Sequence, residues 1–342
     1  MGMIYLKVLI IMLVLAAFAL PGFALKKLKM IGEGGTYTLS NVLLYVCQPA
    51  LVIKSFCVFS EADFETVTAI NRLTLLKNFG ISFAFAIASL MLMLALSKLV
   101  FIKAKDKSAA RVYSYIAVFS NCGFLGVPFV DAFTDGNPLA IMYVMVFNVA
   151  FIILCWTVGV VLITGDIKQI RPKKILLNPA ILSSVVAAVL FFVPEINFFM
   201  IDEVKGLGIF PEYLGYCTAP LSMIIVGIRL AETPARSLFC RKGVYISGSL
   251  RLIAAPFLTI LLVLPFAGFF GKGAEFSFEE YVYIAPVIAM AMSPAASVVA
   301  MAETFNGDKD TATAAFVTNT ILSVVTIPCV ITAVVAIFGI TI

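Results

Sequence analysis

The sequence predicts an all-α polytopic membrane protein, with ten transmembrane helices built as two inverted five-helix repeats. Its 342 residues are 62% hydrophobic and only 13% charged, with a mean hydropathy of +1.09, whereas soluble domains carry about 25% charged residues. Apolar runs of about 20 residues, long enough to cross a bilayer, recur along the whole chain. A proline, an asparagine and a glycine-centred turn recur at an offset of 171 residues, half of the length, which indicates an internal repeat.

The apolar runs give the positions of the predicted spans. They cover about residues 2–25, 36–59, 79–102, 112–130, 138–164, 175–193, 211–230, 244–270, 281–302 and 311–340. The small residues between Ala19 and Ala24 at the end of the first run could imitate a signal-peptide cleavage site. We expect an uncleaved first helix instead, because the N-terminal region carries Lys7 alone and nine further spans follow.

Basic residues concentrate in alternate connections, which the positive-inside rule assigns to the cytoplasm. These connections lie at residues 26–29, 98–111, 168–174, 229–242 and 309, whereas the acidic clusters at 61–65 and 275–280 fall on the opposite side. The pattern predicts a multi-pass protein of the cell (inner or plasma) membrane, with both termini extracytoplasmic. Since the net charge of +5 comes from loops that flank the lipid bilayer, it gives no reason to expect nucleic-acid binding.

The residue types argue against an enzyme, a metal site or a disulfide framework. The seven cysteines form no C-x-x-C pair, and the chain has no histidine. An intramembrane hydrolase would need a nucleophile with a base, paired aspartates or metal ligands. A receptor would normally carry a soluble signalling domain, for which no connection is long enough. We therefore expect no cofactor, apart from sodium or proton coupling of a transporter; a passive channel stays an alternative.

The fourth span contains the sequence Ser120–Pro128, which is a poor continuous helix. Pro128 lacks an N–H and crowds the preceding turn, which Gly123 and Gly126 weaken further. A helix broken inside the membrane exposes backbone groups that only protein or a water-filled cavity can satisfy. Secondary transporters commonly bind substrate at such breaks. A proline kink in an ordinary packing helix explains this stretch equally well when it is considered alone.

The offset of 171 residues pairs this break with a second one. It aligns Pro49 with Pro220, Asn148 with Asn319, Gly123 with Pro294, and the turn 135–137 with 306–308. The repeats are residues 1–164 and 175–342, joined by a basic connection at 165–174. Five spans is an odd number, so the halves must have opposite orientations. The broken spans 4 and 9 are then predicted to cross near the midplane.

Residues around the breaks are candidates for binding a carboxylate. The N-termini of half-helices attract anions, and the Asn121 amide can donate two hydrogen bonds, although an interhelical packing bond is the alternative. The other candidates for substrate binding are Gln48, Asn178, Ser293, Ser297 and Arg251. Asn178 could equally be an N-cap, and Arg251 could snorkel or form a structural ion pair.

Two further groups of residues complete the predicted site. The crossover and hinge positions are Pro49, Gly123, Gly126, Pro128, Pro220 and Pro294. The structural or ion-binding candidates are Asn148, Asn319 and Glu303. We expect Glu303 to be interfacial. Proton coupling would have to use Glu303, Asp131 or the substrate itself, whereas sodium could be held by unwound carbonyls with Asn or Ser side chains.

The chain resembles bacterial members of the auxin efflux carrier family, to which the plant auxin exporters also belong. The resemblance rests on the order of Pro49-Ala-Leu51, Asn121 to Pro128, Asn178-Pro179, Ala219 to Gly227 and Ser293-Pro294. It implies a fold akin to bile-acid symporters and sodium/proton antiporters, with a scaffold domain (spans 1, 2, 6 and 7) and a transport domain (spans 3–5 and 8–10).

The resemblance also implies a function. Family members move organic anions such as auxin, malate or malonate, and Asn121 matches the asparagine that contacts the carboxylate. An elevator-like movement of the transport domain and a homodimer through the scaffold are further expectations. A sodium-coupled symporter of the bile-acid type is the alternative function. The long cytoplasmic loop of many plant members is absent between spans 5 and 6.

Overall fold

A computed structural model describes residues 2–32, 34–58, 67, 70–170, 173, 177–200, 205–234, 238, 241–270 and 280–339. This part of the chain is helical and contains no β-sheet, which confirms an all-α protein. The predicted acidic clusters at 61–65 and 275–279 lie outside the described residues, as do parts of the basic connection at 165–174.

The helices are labelled here by the predicted span to which they correspond. Helices α1, α2 and α3 are Gly2–Lys27, Gly35–Cys57 and Arg72–Phe101, and α5 and α6 are Pro138–Thr164 and Pro179–Phe192. Helices α7, α8 and α10 are Gly206–Glu232, Lys242–Ala267 and Lys309–Phe338. The two broken spans are α4a (Lys107–Val118) with α4b (Cys122–Phe133), and α9a (Tyr281–Ala291) with α9b (Ser297–Thr304).

Seven of the described helices are long and apolar enough to cross a membrane, namely α1, α2, α3, α5, α7, α8 and α10. The shorter apolar helices α4b, α6 and α9a lie where the remaining spans were predicted. The chain is therefore a multi-pass membrane protein by length and composition of its helices. The count of ten crossings stays a prediction.

Prolines mark local irregularities in two helices. Helix α2 forms a π-helical turn over Leu43–Cys47 and then continues as an α-helix that contains Pro49 near its start. Helix α7 is interrupted at Cys217, three residues before Pro220. Both irregularities are consequences of proline, which lacks an N–H and crowds the carbonyl of the preceding turn. The predicted interruption of span 2 is thus a bulge in a continuous helix.

Two turns have the same geometry at the offset of 171 residues. Asp135 and Asn306 both have a φ of +52°. Gly136 N donates to the Asp131 carbonyl at 2.8 Å, and Gly307 N donates to the Ala302 carbonyl at 2.8 Å. The next helix begins in each case with a side-chain cap, from Asn137 and Asp308. The match supports the internal repeat; the inversion of the halves stays a prediction.

Helix packing brings the breaks into the middle of the protein. Helix α1 packs on α7, and α2 packs on α6 and α7, while α5 packs on α3 and α9a. Helices α1 and α7 approach closely at Gly22 and Gly227. Whether these groups move as two domains stays a prediction.

Candidate functional site

The two broken spans meet at their breaks. The backbone is extended at Phe119, after α4a ends, and at Met292, after α9a ends. Asn121 N donates to the Ser293 carbonyl at 2.7 Å, and Ala295 N donates to the Phe119 carbonyl at 2.9 Å. This antiparallel pairing satisfies backbone groups that lipid could not. Pro294 has no N–H, but it can lie within this pairing because the hydrogen bonds use the Ser293 carbonyl and the Ala295 amide.

Glycines allow the break to approach its neighbours. A Cβ on Gly123 would lie 2.6 Å from the Asn148 Oδ1 atom, and one on Gly126 would lie 3.3 Å from the Met292 Cγ atom. The segment Cys122–Gly126 is a π-helical turn, and Pro128 follows it at the start of the α-helical part of α4b. Gly123 is therefore required where α4b contacts α5.

Arg251 lies behind the breaks and is fully buried. Its guanidinium donates to the Val118 carbonyl at 2.7 Å, to the Ala117 carbonyl at 3.3 Å and to the Met290 carbonyl. These are carbonyls at the C-terminal ends of α4a and α9a, where a helix leaves acceptors unpaired and favours a cation. Arg251 thus binds backbone from both broken spans, and its guanidinium does not turn to a membrane interface.

A cavity of about 930 Å³ extends from the breaks to the connections at one end of the molecule. Its walls include five of the predicted candidates, Gln48, Asn121, Asn148, Asn178 and Ser297, together with Gly123. Asp166, Leu177 and Asn306 line the opposite end, and Leu177 is 68% exposed. Under the predicted topology this end faces the cytoplasm.

Two asparagines of the cavity wall carry buried amide donors that have no partner among the described residues. They are the Nδ2 atoms of Asn121 and Asn148. The Asn148 Oδ1 atom accepts the Cys122 thiol at 3.6 Å. An unpaired buried donor costs about 1–3 kcal/mol, so both amides are positioned to gain from a ligand that accepts hydrogen bonds.

The other candidates in the cavity wall have local roles as well. Asn178 is an N-cap, since its Oδ1 atom accepts the Ala180 amide at 2.9 Å. The Ser297 hydroxyl shares a hydrogen bond of 2.9 Å with the Tyr115 hydroxyl. Gln48 is 5% exposed and begins the α-helical part of α2.

Several predicted candidates do not line the cavity. Ser293 is buried and contributes its carbonyl to the paired breaks. Asn319 donates to the Val244 carbonyl at 3.3 Å and so joins α10 to α8. Glu303 forms ion pairs with Arg229 at 3.1 Å and with Lys309 at 2.8 Å.

Arg111 and Trp156 are among the cavity residues that the sequence analysis missed. Arg111 lines the cavity, although the sequence suggested only a basic loop residue. Trp156, the only tryptophan of the chain, also lines it. Trp156 was predicted to lie in a helix, whereas Arg111 was assigned to the connection before span 4 and lies in α4a. The face that each turns to the cavity depends on packing between helices.

Comparison with known proteins gave one family match. Residues 163–331, from the end of α5 through most of α10, match the family model described as "Membrane transport protein". No curated protein matches the chain.

Proposed function

We propose that this chain, whose residues 163–331 carry the membrane transport domain of the auxin efflux carrier family, is a carrier of small organic anions that works by alternating access. The main observation is that a cavity of about 930 Å³ ends at two paired helix breaks, where the buried Asn121 amide donates to no described residue. A volume of this size is typical of small-molecule sites. Substrates of the auxin, malate or malonate type fit this chemistry.

The cavity offers a carboxylate two kinds of donor. The Asn121 and Asn148 amides supply side-chain donors, and the first residues of α4b and α9b, among them Gly123 and Ser297, line the wall. Helix N-termini carry unpaired N–H groups and a partial positive charge. An anion can therefore be held at the breaks without a lysine.

The transport cycle would move this site across the membrane. The cavity reaches the end of the molecule that carries the basic connections, so the structure corresponds to an inward-facing state under the predicted topology. We propose an elevator-like movement of spans 3–5 and 8–10 against spans 1, 2, 6 and 7 in the cell membrane. Sodium, protons or the anion gradient alone could drive it.

The test is uptake of labelled malonate, malate and indole-3-acetate into proteoliposomes, with and without sodium and pH gradients. Asn121→Ala removes the amide at the breaks and should lower saturable uptake at least tenfold, about 1.4 kcal/mol. Asn137→Ala, an N-cap outside the cavity wall, is the control and should retain uptake. Sodium dependence would favour the bile-acid-type symporter. Failure of folded protein to transport any carboxylate would reject the proposal.

A further inference from the structure

We propose that Arg111 is an anion-capture residue at the entrance of the cavity, which binds the carboxylate before it reaches Asn121. The inference rests on the proposed function, because it assigns a step to the same substrate. Arg111 is the only lysine or arginine in the described cavity wall. It lies in the first half of α4a, near the end of the cavity lined by Asp166 and Asn306.

The guanidinium of Arg111 has no partner in the described part of the protein. No hydrogen bond or ion pair joins it to a described residue, and its Nε atom is buried. Three other arginines are paired: Arg229 with Glu303, Arg241 with Thr311, and Arg251 with backbone carbonyls. Burying a cation partly without a counter-ion costs free energy. Binding of an anion to Arg111 would remove part of this cost.

The guanidinium of Arg111 lies beside the end of α5. Gly165 has a φ of +75°, and a Cβ there would lie 3.1 Å from the Arg111 Nη1 atom. The side chain therefore lies against this glycine, without bonding to the last carbonyls of α5. Arginine recognises carboxylates through two parallel N–H donors, so the exposed part of this group suits one end of an organic anion.

Arg111 and Asn121 lie at different depths of the cavity. Seven residues of α4a separate Arg111 from Val118, a rise of about 10 Å, and Asn121 lies beyond the extended segment that follows. The proposal therefore assigns the two residues to successive steps, first at the entrance and then at the breaks.

The same wall contains a charge of opposite sign. Asp166 lines the cavity and caps the following turn by accepting the Lys168 amide at 2.9 Å. Its carboxylate should oppose the approach of an anion. Neutralising Arg111 and neutralising Asp166 are thus expected to change the apparent affinity in opposite directions.

Trp156 allows binding to be measured apart from transport. Trp156 is the only tryptophan of the chain and lines the cavity. Its fluorescence should therefore change when malonate binds, since malonate itself does not fluoresce. Arg111→Gln should raise both the malonate Kd and the KM for uptake about tenfold, as expected for a charged hydrogen bond, with kcat within about twofold. Arg111→Lys should restore part of the affinity. Asp166→Asn, which keeps an N-cap, should lower the KM.

The control is Lys107→Gln, which removes an exposed charge one turn earlier on α4a, outside the cavity wall. It should behave like the wild type. If Arg111→Gln matches Lys107→Gln while Asn121→Ala abolishes uptake, the capture role is wrong and the proposed function stands. If the wild type neither binds nor transports a carboxylate, both fail. Should Arg111→Gln not fold, an unchanged KM in both Arg111→Lys and Asp166→Asn would overturn the inference.

Discussion

The guanidinium of Arg251 supplies donors to the ends of two helices at once. Its partners are the carbonyls of Val118, Ala117 and Met290. These carbonyls are available because α4a and α9a end there. An apolar side chain at this position would leave these acceptors buried without a donor from residue 251. The breaks that form one end of the cavity thus depend on a residue outside the cavity.

Arg251→Met should destabilise the protein, because each carbonyl left without a donor costs about 1–3 kcal/mol. The measurement is thermal unfolding in detergent, followed through Trp156 fluorescence. Arg251→Lys retains the charge without the planar fork, so its melting temperature should lie between those of the wild type and Arg251→Met. A melting temperature of Arg251→Met equal to that of the wild type would contradict the structural role.

At the scale of helices, the closest packing is between α1 and α7. A Cβ on Gly227 would lie 1.9 Å from the Ala19 carbonyl oxygen, and one on Gly22 would lie 2.1 Å from the Ile224 carbonyl oxygen. Small residues allow backbones to approach in membranes, where packing is a main source of helix association. These two glycines therefore leave no room for a larger side chain between α1 and α7.

Gly227→Ala should separate α1 from α7 and cost about 1–3 kcal/mol through overpacking. Unfolding in detergent would measure the effect. Gly80→Ala on α3 is a matched control, because nothing lies within 4 Å of its added Cβ. The control should gain about 0.5–1 kcal/mol from helix propensity. Equal stability of the two variants would argue against the close packing.

At the scale of the molecule, ion pairs join helices that the proposed mechanism assigns to different domains. Arg229 of α7 pairs with Glu303 of α9b at 3.1 Å, and its side chain is 8% exposed. Lys26 of α1 pairs with Glu232 of α7 at 2.8 Å, and both of these helices belong to the proposed scaffold. Lys7 of α1 pairs with Asp135, which follows α4b, at 3.0 Å, but this pair is exposed. A relative movement of the domains would have to break the Arg229–Glu303 pair.

The Arg229–Glu303 pair should therefore influence the rate of the cycle. Glu303→Gln should change the kcat of uptake at least threefold while the malonate Kd measured through Trp156 stays close to that of the wild type. The double variant Arg229→Glu with Glu303→Arg restores an ion pair and should recover part of the rate. Lys7→Gln is the control, since exposed pairs contribute little. A kcat unaffected by Glu303→Gln would mean that this contact does not limit the movement.

The sequence allowed the helical membrane class and the positions of both breaks to be predicted, because glycine and proline act locally on the backbone. The predicted breaks also allowed polar residues beside or facing them to be selected, namely Asn121, Asn148 and Ser297. The roles of Arg251 and Arg111 could not be predicted. They depend on which helix ends meet in space. The sequence singled out Arg251 as a candidate without showing which carbonyls it binds, and it placed Arg111 in a basic connection.

The most direct test of the central claim is to locate a bound carboxylate by cryo-electron microscopy of the protein in lipid nanodiscs, with malonate or another anion that saturates uptake. The account predicts anion density within hydrogen-bond distance of the Asn121 amide, between the first turns of α4b and α9b. An anion bound elsewhere, or empty breaks at a saturating concentration, would contradict it.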